Sequence, residues 1–241
     1  PQLMANVLYK QKRYDDLIQY EKGLRSRATT ISNYAEISML VADAYYFKKD
    51  YTSAIAAYEA YLKENKSKAP ASLLYRAGYS YYSLGQDEKA IDYLKTSAAT
   101  SDSVGYYASY YLGILYLKQG NKPFASTSFE NARKYLKDKD LVEESTFQFA
   151  KVSYDLGKPD LAIAEFERFL LGFPSSTYTN EVKELLAQAY VNGNNYNKAI
   201  EYIESLPRRS QAVDQAYQKA AFLKGTELFN KDDYTGAVQF F

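Results

Sequence analysis

Among the adjacent carboxylates, the pairs Asp15-Asp16, Glu143-Glu144 and Asp232-Asp233 are residues whose type suits general acid–base chemistry. Their spacing argues against it, because neighbouring residues on a helix point about 100° apart and do not converge on one substrate atom. Each pair reads as a solvated face or as charge at a helix N-terminus. The sequence holds no histidine and no cysteine, which removes Ser-His-Asp and Cys-His catalysis, thiolate chemistry and His-zinc sites within the chain. Asp138, Asp140 and Glu143 lack the glycine and loop spacing of a calcium-binding hand. No phosphate-binding glycine loop and no S-x-x-K motif occurs. The expectation is therefore a chain that is not an enzyme, with no catalytic residue, no cofactor and no metal site. What remains as an anomaly is tyrosine, 27 of 241 residues.

The elements that must position those tyrosines are helices. Between Leu73 and Leu94, Leu74, Ala77, Gly78 and Tyr81 recur at i, i+3, i+4 and i+7, Gly85 stops the pattern, and Ala90 and Leu94 open a second face. This is a helical hairpin, with small residues Gly78 and Ala90 letting the two backbones approach. The Ala90 landmark returns at Leu17, Ala54, Ala125, Ala162, Ala199 and Ala237, at intervals of 37, 36, 35, 37, 37 and 38 residues. Twelve residues before each landmark after the first stand Ala42, Gly78, Gly113, Ala150, Ala187 and Gly225, all small. Nine before stand Tyr45, Tyr81, Tyr116, Ser153, Tyr190 and Leu228. A constant period in the mid-thirties marks an array of helical repeats, each completing its core against its neighbours.

Composition sets the remaining bounds. The chain is 46% hydrophobic and 24% charged, ordinary for a globular protein, and its net charge of +1 gives no general reason to expect nucleic acid or an anionic membrane. Charge is uneven: residues 1–140 carry 20 basic and 15 acidic side chains, and 141–241 carry 10 and 14. The apolar run Val104–Leu117, 14 residues, is too short for the roughly 20 that span a bilayer. Pro1 is not an initiator, so either a leader has been removed or the chain is a fragment, and Phe241 falls early in a second helix, so a C-terminal continuation is expected. Asn65-Lys66-Ser67 matches a glycosylation acceptor of low specificity.

These landmarks resemble the tetratricopeptide repeat, whose consensus has a small residue at position 8, Tyr at 11, often Gly at 15, Tyr at 17, Ala at 20 and an aromatic at 24. Gly85, Gly120 and Gly157 fill position 15, Tyr51, Tyr196 and Tyr234 fill 17, and Tyr58, Phe129, Phe166 and Phe241 fill 24. The resemblance implies an all-α fold, a right-handed α-α superhelix or solenoid of stacked helical hairpins, running through residues 1–241 as a single array. Its units are a partial one at 1–31, full ones at about 35–68, 71–103, 106–139, 143–176 and 180–213, and a truncated one at 218–241. Trp at position 4 is missing and Ser153 replaces the expected Tyr.

In such arrays first-helix positions 2, 5, 9, 12 and 13 line the concave face. Here that places Tyr46, Tyr75, Tyr79, Tyr82, Tyr107, Tyr110, Phe147, Lys151 and Tyr154 in a candidate partner-binding groove, with sparse charge from Asp43, Lys118 and Asp155. Tyrosine offers an amphipathic surface at low entropic cost, which suits a peptide or polymer; packing between helices is the competing use. Tyr79 and Tyr110 are expected exposed, Tyr81 and Tyr116 buried. The residues at position 9 are Asp43, Tyr79, Ile114, Lys151, Gln188 and Thr226, so the carboxylate clamp of co-chaperone arrays is absent.

Pro174, Ser176 and Tyr178 form a P-x-S-x-Y connection that resembles those of bacterial periplasmic and cell-envelope repeat proteins. Locally it reads as a helix stop at Phe173-Pro174 followed by a Ser N-cap. The sequence thus points to a non-catalytic protein-interaction scaffold with a protein or peptide partner, without nucleic acid and without a membrane span. Membrane association is left to flanking sequence, and the resemblance implies a periplasmic or cell-envelope setting. The competing readings are a cytoplasmic adaptor and a carbohydrate-binding module.

Overall fold

The computed structural model describes residues 1–26, 33–65 and 69–241. Lys66 and Ser67 of the glycosylation match lie outside the described residues. Fourteen helices follow one another among the described residues, with no strand. They are α1 (Gln2–Lys10), α2 (Tyr14–Arg25), α3 (Tyr34–Phe47), α4 (Tyr51–Asn65), α5 (Ala71–Ser83), α6 (Asp87–Ala98), α7 (Ser103–Lys118), α8 (Lys122–Ala132), α9 (Lys139–Asp155), α10 (Pro159–Gly172), α11 (Thr179–Asn192), α12 (Tyr196–Glu204), α13 (Gln211–Phe229) and α14 (Tyr234–Val238). The longest apolar pattern becomes α7, and no helix among the described residues is long and apolar enough to cross a membrane.

The hairpins share one corner. Lys12, Lys49, Gly85, Gly120, Gly157, Asn194 and Asp232 all adopt the left-handed conformation, with φ between 58° and 73°. At Gly85, for example, the Gly85 amide donates to the Tyr82 carbonyl at 3.0 Å and the Gln86 amide to the Tyr81 carbonyl at 2.9 Å. The same pair of bonds recurs at the other six corners. This is the Schellman termination, which satisfies the last carbonyls of the first helix while reversing the chain. Glycine fills three corners without cost, and Lys, Asn and Asp hold the strained backbone at the rest. Past several corners a side-chain oxygen caps the next helix: Asp50 accepts from the Ser53 amide at 3.1 Å and Asp233 from that of Gly236 at 2.9 Å.

Every small landmark is buried. Ala42, Ala54, Ala90, Ala125, Ala150, Ala162, Ala187 and Ala199 expose none of their surface. Among the described residues of the first unit of the chain, Pro1–Leu115, two clusters form part of the core. Ala5, Leu8, Leu17, Ile37 and Leu40 join α1, α2 and α3, while Ala54, Tyr58, Leu62, Leu73 and Ala77 join α4 and α5 to Ala42 of α3. The second unit, Tyr116–Phe241, is centred on Phe166, Phe169, Val182, Leu186 and Ile203.

Two tyrosines serve packing in the same way in different repeats. Tyr81 donates its hydroxyl to Glu59 and stacks on Tyr93 at 5.5 Å; Tyr190 donates to Glu167 and packs against Tyr202 at 5.7 Å. Tyr116 departs from expectation. It is half-buried and lies against the exposed ring of Phe124 at 5.4 Å, because that partner sits on an outer face instead of in the core. The Ser N-cap expected after Pro174 is also corrected: α11 starts at Thr179 with Tyr178 at the cap, and Ser176 Oγ accepts from the Tyr178 amide at 3.0 Å inside the connection.

Protection should fall at α14, a five-residue helix in which only Ala237 is buried. Its amides are expected to exchange fastest among the helices, ahead of those in α9 to α11. Equal protection of α14 and α9 in a hydrogen-exchange time course would contradict this.

Candidate functional site

The carboxylate pairs resolve into separate structural tasks. Asp15 pairs with Lys48 and Asp16 with Arg13, Glu144 accepts from Tyr178, and Asp232 accepts from Tyr234 at 2.9 Å while Asp233 caps α14. No cluster of residues able to hold a metal occurs among the described residues.

Six of the nine sequence-predicted groove residues fall in the first unit: Tyr46 on α3, Tyr75, Tyr79 and Tyr82 on α5, and Tyr107 and Tyr110 on α7. All six are half-buried, so each keeps part of its ring in solvent. Tyr79 is the hub. Its ring meets Tyr46 at 5.8 Å and 73°, Tyr51 at 5.8 Å and 70°, and Tyr111 at 4.9 Å and 77°. Tyr111 in turn touches Tyr82 at 5.0 Å and Tyr110 at 5.2 Å. Tyr75 closes the group at 6.2 Å from Tyr79 and 6.4 Å from Tyr111. Edge-to-face contacts of this kind place the positive edge of one ring on the negative face of the next. They hold the rings in fixed orientations before any partner arrives.

The network runs on toward the N-terminus through residues the sequence reading did not assign to the site. Tyr46 meets Phe47 at 5.3 Å, and Phe47, 46% exposed, stacks on Tyr14 at 5.6 Å and 13°. Tyr111 and Tyr51 were likewise missed. Tyr51 fills consensus position 17, and Tyr111 lies outside the five concave positions, 35 residues after Arg76 at the same place in the repeat.

Beneath the rings lies a buried ion pair. Asp43 is only 3% exposed; Arg76 approaches it with Nε 2.7 Å from Oδ1 and Nη2 2.8 Å from Oδ2, and the Tyr58 hydroxyl donates to Oδ1 at 2.6 Å. Asp43 was expected as groove charge, and that expectation is corrected. The guanidinium reaches across from the next first helix, α5, and takes the carboxylate out of solvent. The fork-to-fork geometry is the strong form of such a pair.

The other three predicted groove residues lie in the second unit. Phe147 is a correction: it is 2% exposed and belongs to the core, because Tyr178 from the α10–α11 connection stacks over it at 4.1 Å and 10°. Lys151 pairs with Glu181 at 2.6 Å, and its ammonium stands 5.5 Å above the Phe147 ring. Tyr154 donates to Gln188 at 3.2 Å and accepts from Asn192 at 2.9 Å. Lys219 completes a polar recess of about 340 Å³ with these residues. The predicted set therefore divides: Tyr46, Tyr75, Tyr79, Tyr82 and Tyr110 join a tyrosine network on the first unit, and of the second-unit residues Tyr154 lines the polar recess.

Burial governs the titration of the rings. It pushes the hydroxyls of Tyr9, Tyr46 and Tyr202 up to about 12 from 10.0, with neighbouring Asp43 adding to the rise at Tyr9 and neighbouring Tyr79 and Tyr51 at Tyr46. Tyr58, Tyr75 and Tyr111 are raised further, again chiefly by desolvation. A folded-state pKa above the unfolded one contributes stability in full below about pH 10, where the unfolded chain ionises, and that contribution is lost as pH climbs through the folded values. The melting temperature should therefore fall steeply between about pH 10 and 12. A flat profile across that range would show that the rings are solvated.

A family model for the tetratricopeptide repeat matches residues 3–70, 39–104 and 147–213. The chain belongs to the tetratricopeptide repeat family. Among solved structures, the C-terminal part of a TPR repeat-containing protein from Cytophaga hutchinsonii is 18% identical, with a TM-score of 0.59 over 100% of this chain and 92% of that one. A tetratricopeptide repeat protein from Parabacteroides merdae is 14% identical, TM-score 0.55, covering 98% and 88%. The MamA protein is 21% identical, TM-score 0.55, covering 78% and 93%. At these identities the likeness concerns the fold. No curated protein sequence matches the chain significantly. Tetratricopeptide repeats are in general non-catalytic scaffolds for protein–protein interaction.

Proposed function

We propose that this tetratricopeptide chain binds an extended segment of a partner protein on the tyrosine network of its first unit, as part of a bacterial cell-envelope assembly. The observation that carries the binding surface is the hub at Tyr79, where half-exposed rings from α3, α4, α5 and α7 lock one another edge to face. Rigid aromatic surface loses little entropy on binding, and such rings commonly dominate interface energetics. The envelope setting is supported by the P-x-S-x-Y connection at Pro174–Tyr178 and by structural neighbours from bacteria.

Replacing Tyr79 or Tyr110 by alanine should weaken partner binding by about 1–2 kcal/mol or more while leaving the helix content intact. Calorimetric titration of the wild type and both variants with peptides captured from an envelope extract measures this. Unchanged affinity in both variants would remove the network from the interface. Tight binding of glycans in place of peptides would replace the partner class with carbohydrate. Fractionation of cells making the full-length precursor tests the location, and a purely cytoplasmic pool would overturn it.

A further inference from the structure

Away from the tyrosine network, the second unit exposes large aliphatic side chains where connections are normally polar. Leu136 and Leu171 are 79% and 85% exposed. They stand 35 residues apart, two short of the 37-residue repeat of this stretch, and Leu206, half-buried against the core, follows after a further 35. Leu136 lies between α8 and α9, Leu171 in the last turn of α10 and Leu206 between α12 and α13.

These three places share an edge. Consecutive helices joined by tight corners run antiparallel, so the connections after α8, α10 and α12 emerge opposite the corners at Gly157, Asn194 and Asp232. One contact agrees: Tyr178, in the second connection, donates to Glu144 in the second turn of α9, just beyond the first.

Charge separates this edge from the opposite one. Lys134, Lys137 and Lys139 surround Leu136, and Arg208 and Arg209 follow Leu206, all exposed. The acidic residues on the connections are Asp138 and Asp140 beside Leu136 and Glu204 ahead of Leu206, and Asp138 is engaged in capping α9. At the corner edge of the same unit, Lys118, Lys122, Lys158 and Lys231 are balanced by Asp155, Asp160, Asp232 and Asp233. The corner edge is thus neutral, and the connection edge is basic with aliphatic tips.

We infer that the connection edge of the second unit docks on an anionic lipid surface, with Leu136 and Leu171 entering the headgroup boundary and Lys134, Lys137, Lys139, Arg208 and Arg209 facing lipid phosphates. Aliphatic insertion combined with basic residues near the surface is the pairing that peripheral attachment requires, each term being weak alone. Duplex nucleic acid would use the basic side chains and leave the leucines in water, so the leucines favour lipid. This docking is independent of the tyrosine network.

The test is sedimentation of the full chain with vesicles of phosphatidylglycerol and phosphatidylcholine against vesicles of phosphatidylcholine alone. Binding should be confined to the anionic vesicles and weaken as salt is raised. It should fall by about tenfold or more in Lys137→Glu/Arg208→Glu and also in Leu136→Ser/Leu171→Ser, each with an unchanged melting temperature because the residues are exposed. No binding to anionic vesicles, equal binding to neutral ones, retention in both variants, or binding to duplex DNA without binding to vesicles would each overturn the inference.

Discussion

Arg76→Ala should lower the unfolding free energy by about 3–5 kcal/mol, the largest loss expected of any single substitution in the first unit. The reason lies in what is left behind. Asp43 has 4% of its side chain exposed, and without the guanidinium it must either keep an uncompensated charge or take up a proton. Tyr58 still donates to it, but a neutral hydroxyl does not balance a carboxylate. Replacing both Asp43 and Arg76 by leucine should cost much less, because apolar residues of similar size remove the desolvation penalty together with the attraction. The second unit supplies a contrast. Glu165 is held by Arg133 at 2.6 Å and also by Arg168 at 3.0 Å, so Arg133→Ala leaves one cation in place and should be milder than Arg76→Ala. Urea unfolding of the variants measures these differences. Equal losses for Arg76→Ala and Arg133→Ala would show that the Asp43 site is more open to water than its burial indicates.

The second large effect is expected at Gly78. A Cβ there would lie 2.8 Å from Leu94 Cγ and 3.2 Å from the Leu94 backbone nitrogen. The side chain could turn away, but the backbone of α6 could not, so Gly78→Leu should separate the α5–α6 hairpin at a cost of about 1–3 kcal/mol or more. Gly23 on α2 is the matched control: nothing lies within 4 Å of its built Cβ, and Gly23→Ala should be neutral or slightly stabilising. A melting temperature for Gly78→Leu equal to that of the wild type would mean that the two helices are further apart than these distances state.

The features that repeat were legible in the sequence. Small residues at a constant offset can only mean close backbone approach, and Ala42, Ala54, Ala90, Ala150 and Ala187 are all fully buried. The reading of the acidic pairs as divergent groups followed from helical geometry, and Asp15, Asp16, Glu144, Asp232 and Asp233 each have a separate partner. What escaped the sequence depends on contacts between repeats. Phe147 occupies a position that faces outward in a generic repeat, yet Tyr178, 31 residues later, covers it. Asp43 looked like surface charge until Arg76, 33 residues on, was found beside it. Tyr111 joins the site because Tyr79 on α5 reaches it, a juxtaposition that spacing along one helix does not express. Local periodicity determines which face of a helix is apolar, whereas the identity of what covers that face is settled by the neighbouring repeat.

The uniform corner bears on how such a chain can grow and vary by descent. Corner-to-corner distances differ, from 35 residues between Gly85 and Gly120 to 38 between Asn194 and Asp232, while the hydrogen bonds of the corner itself do not change. The slack is taken up on both sides of the corner: between the short terminal helices α1 and α14, second helices run from 9 residues in α12 to 15 in α4, and first helices from 13 in α5 to 19 in α13. Insertions and deletions are thereby steered away from the corner itself, into the helices and connections that flank it. A duplication copied from one corner to the next adds a unit that already contains its own chain reversal. Length and surface can then be inherited as separate traits.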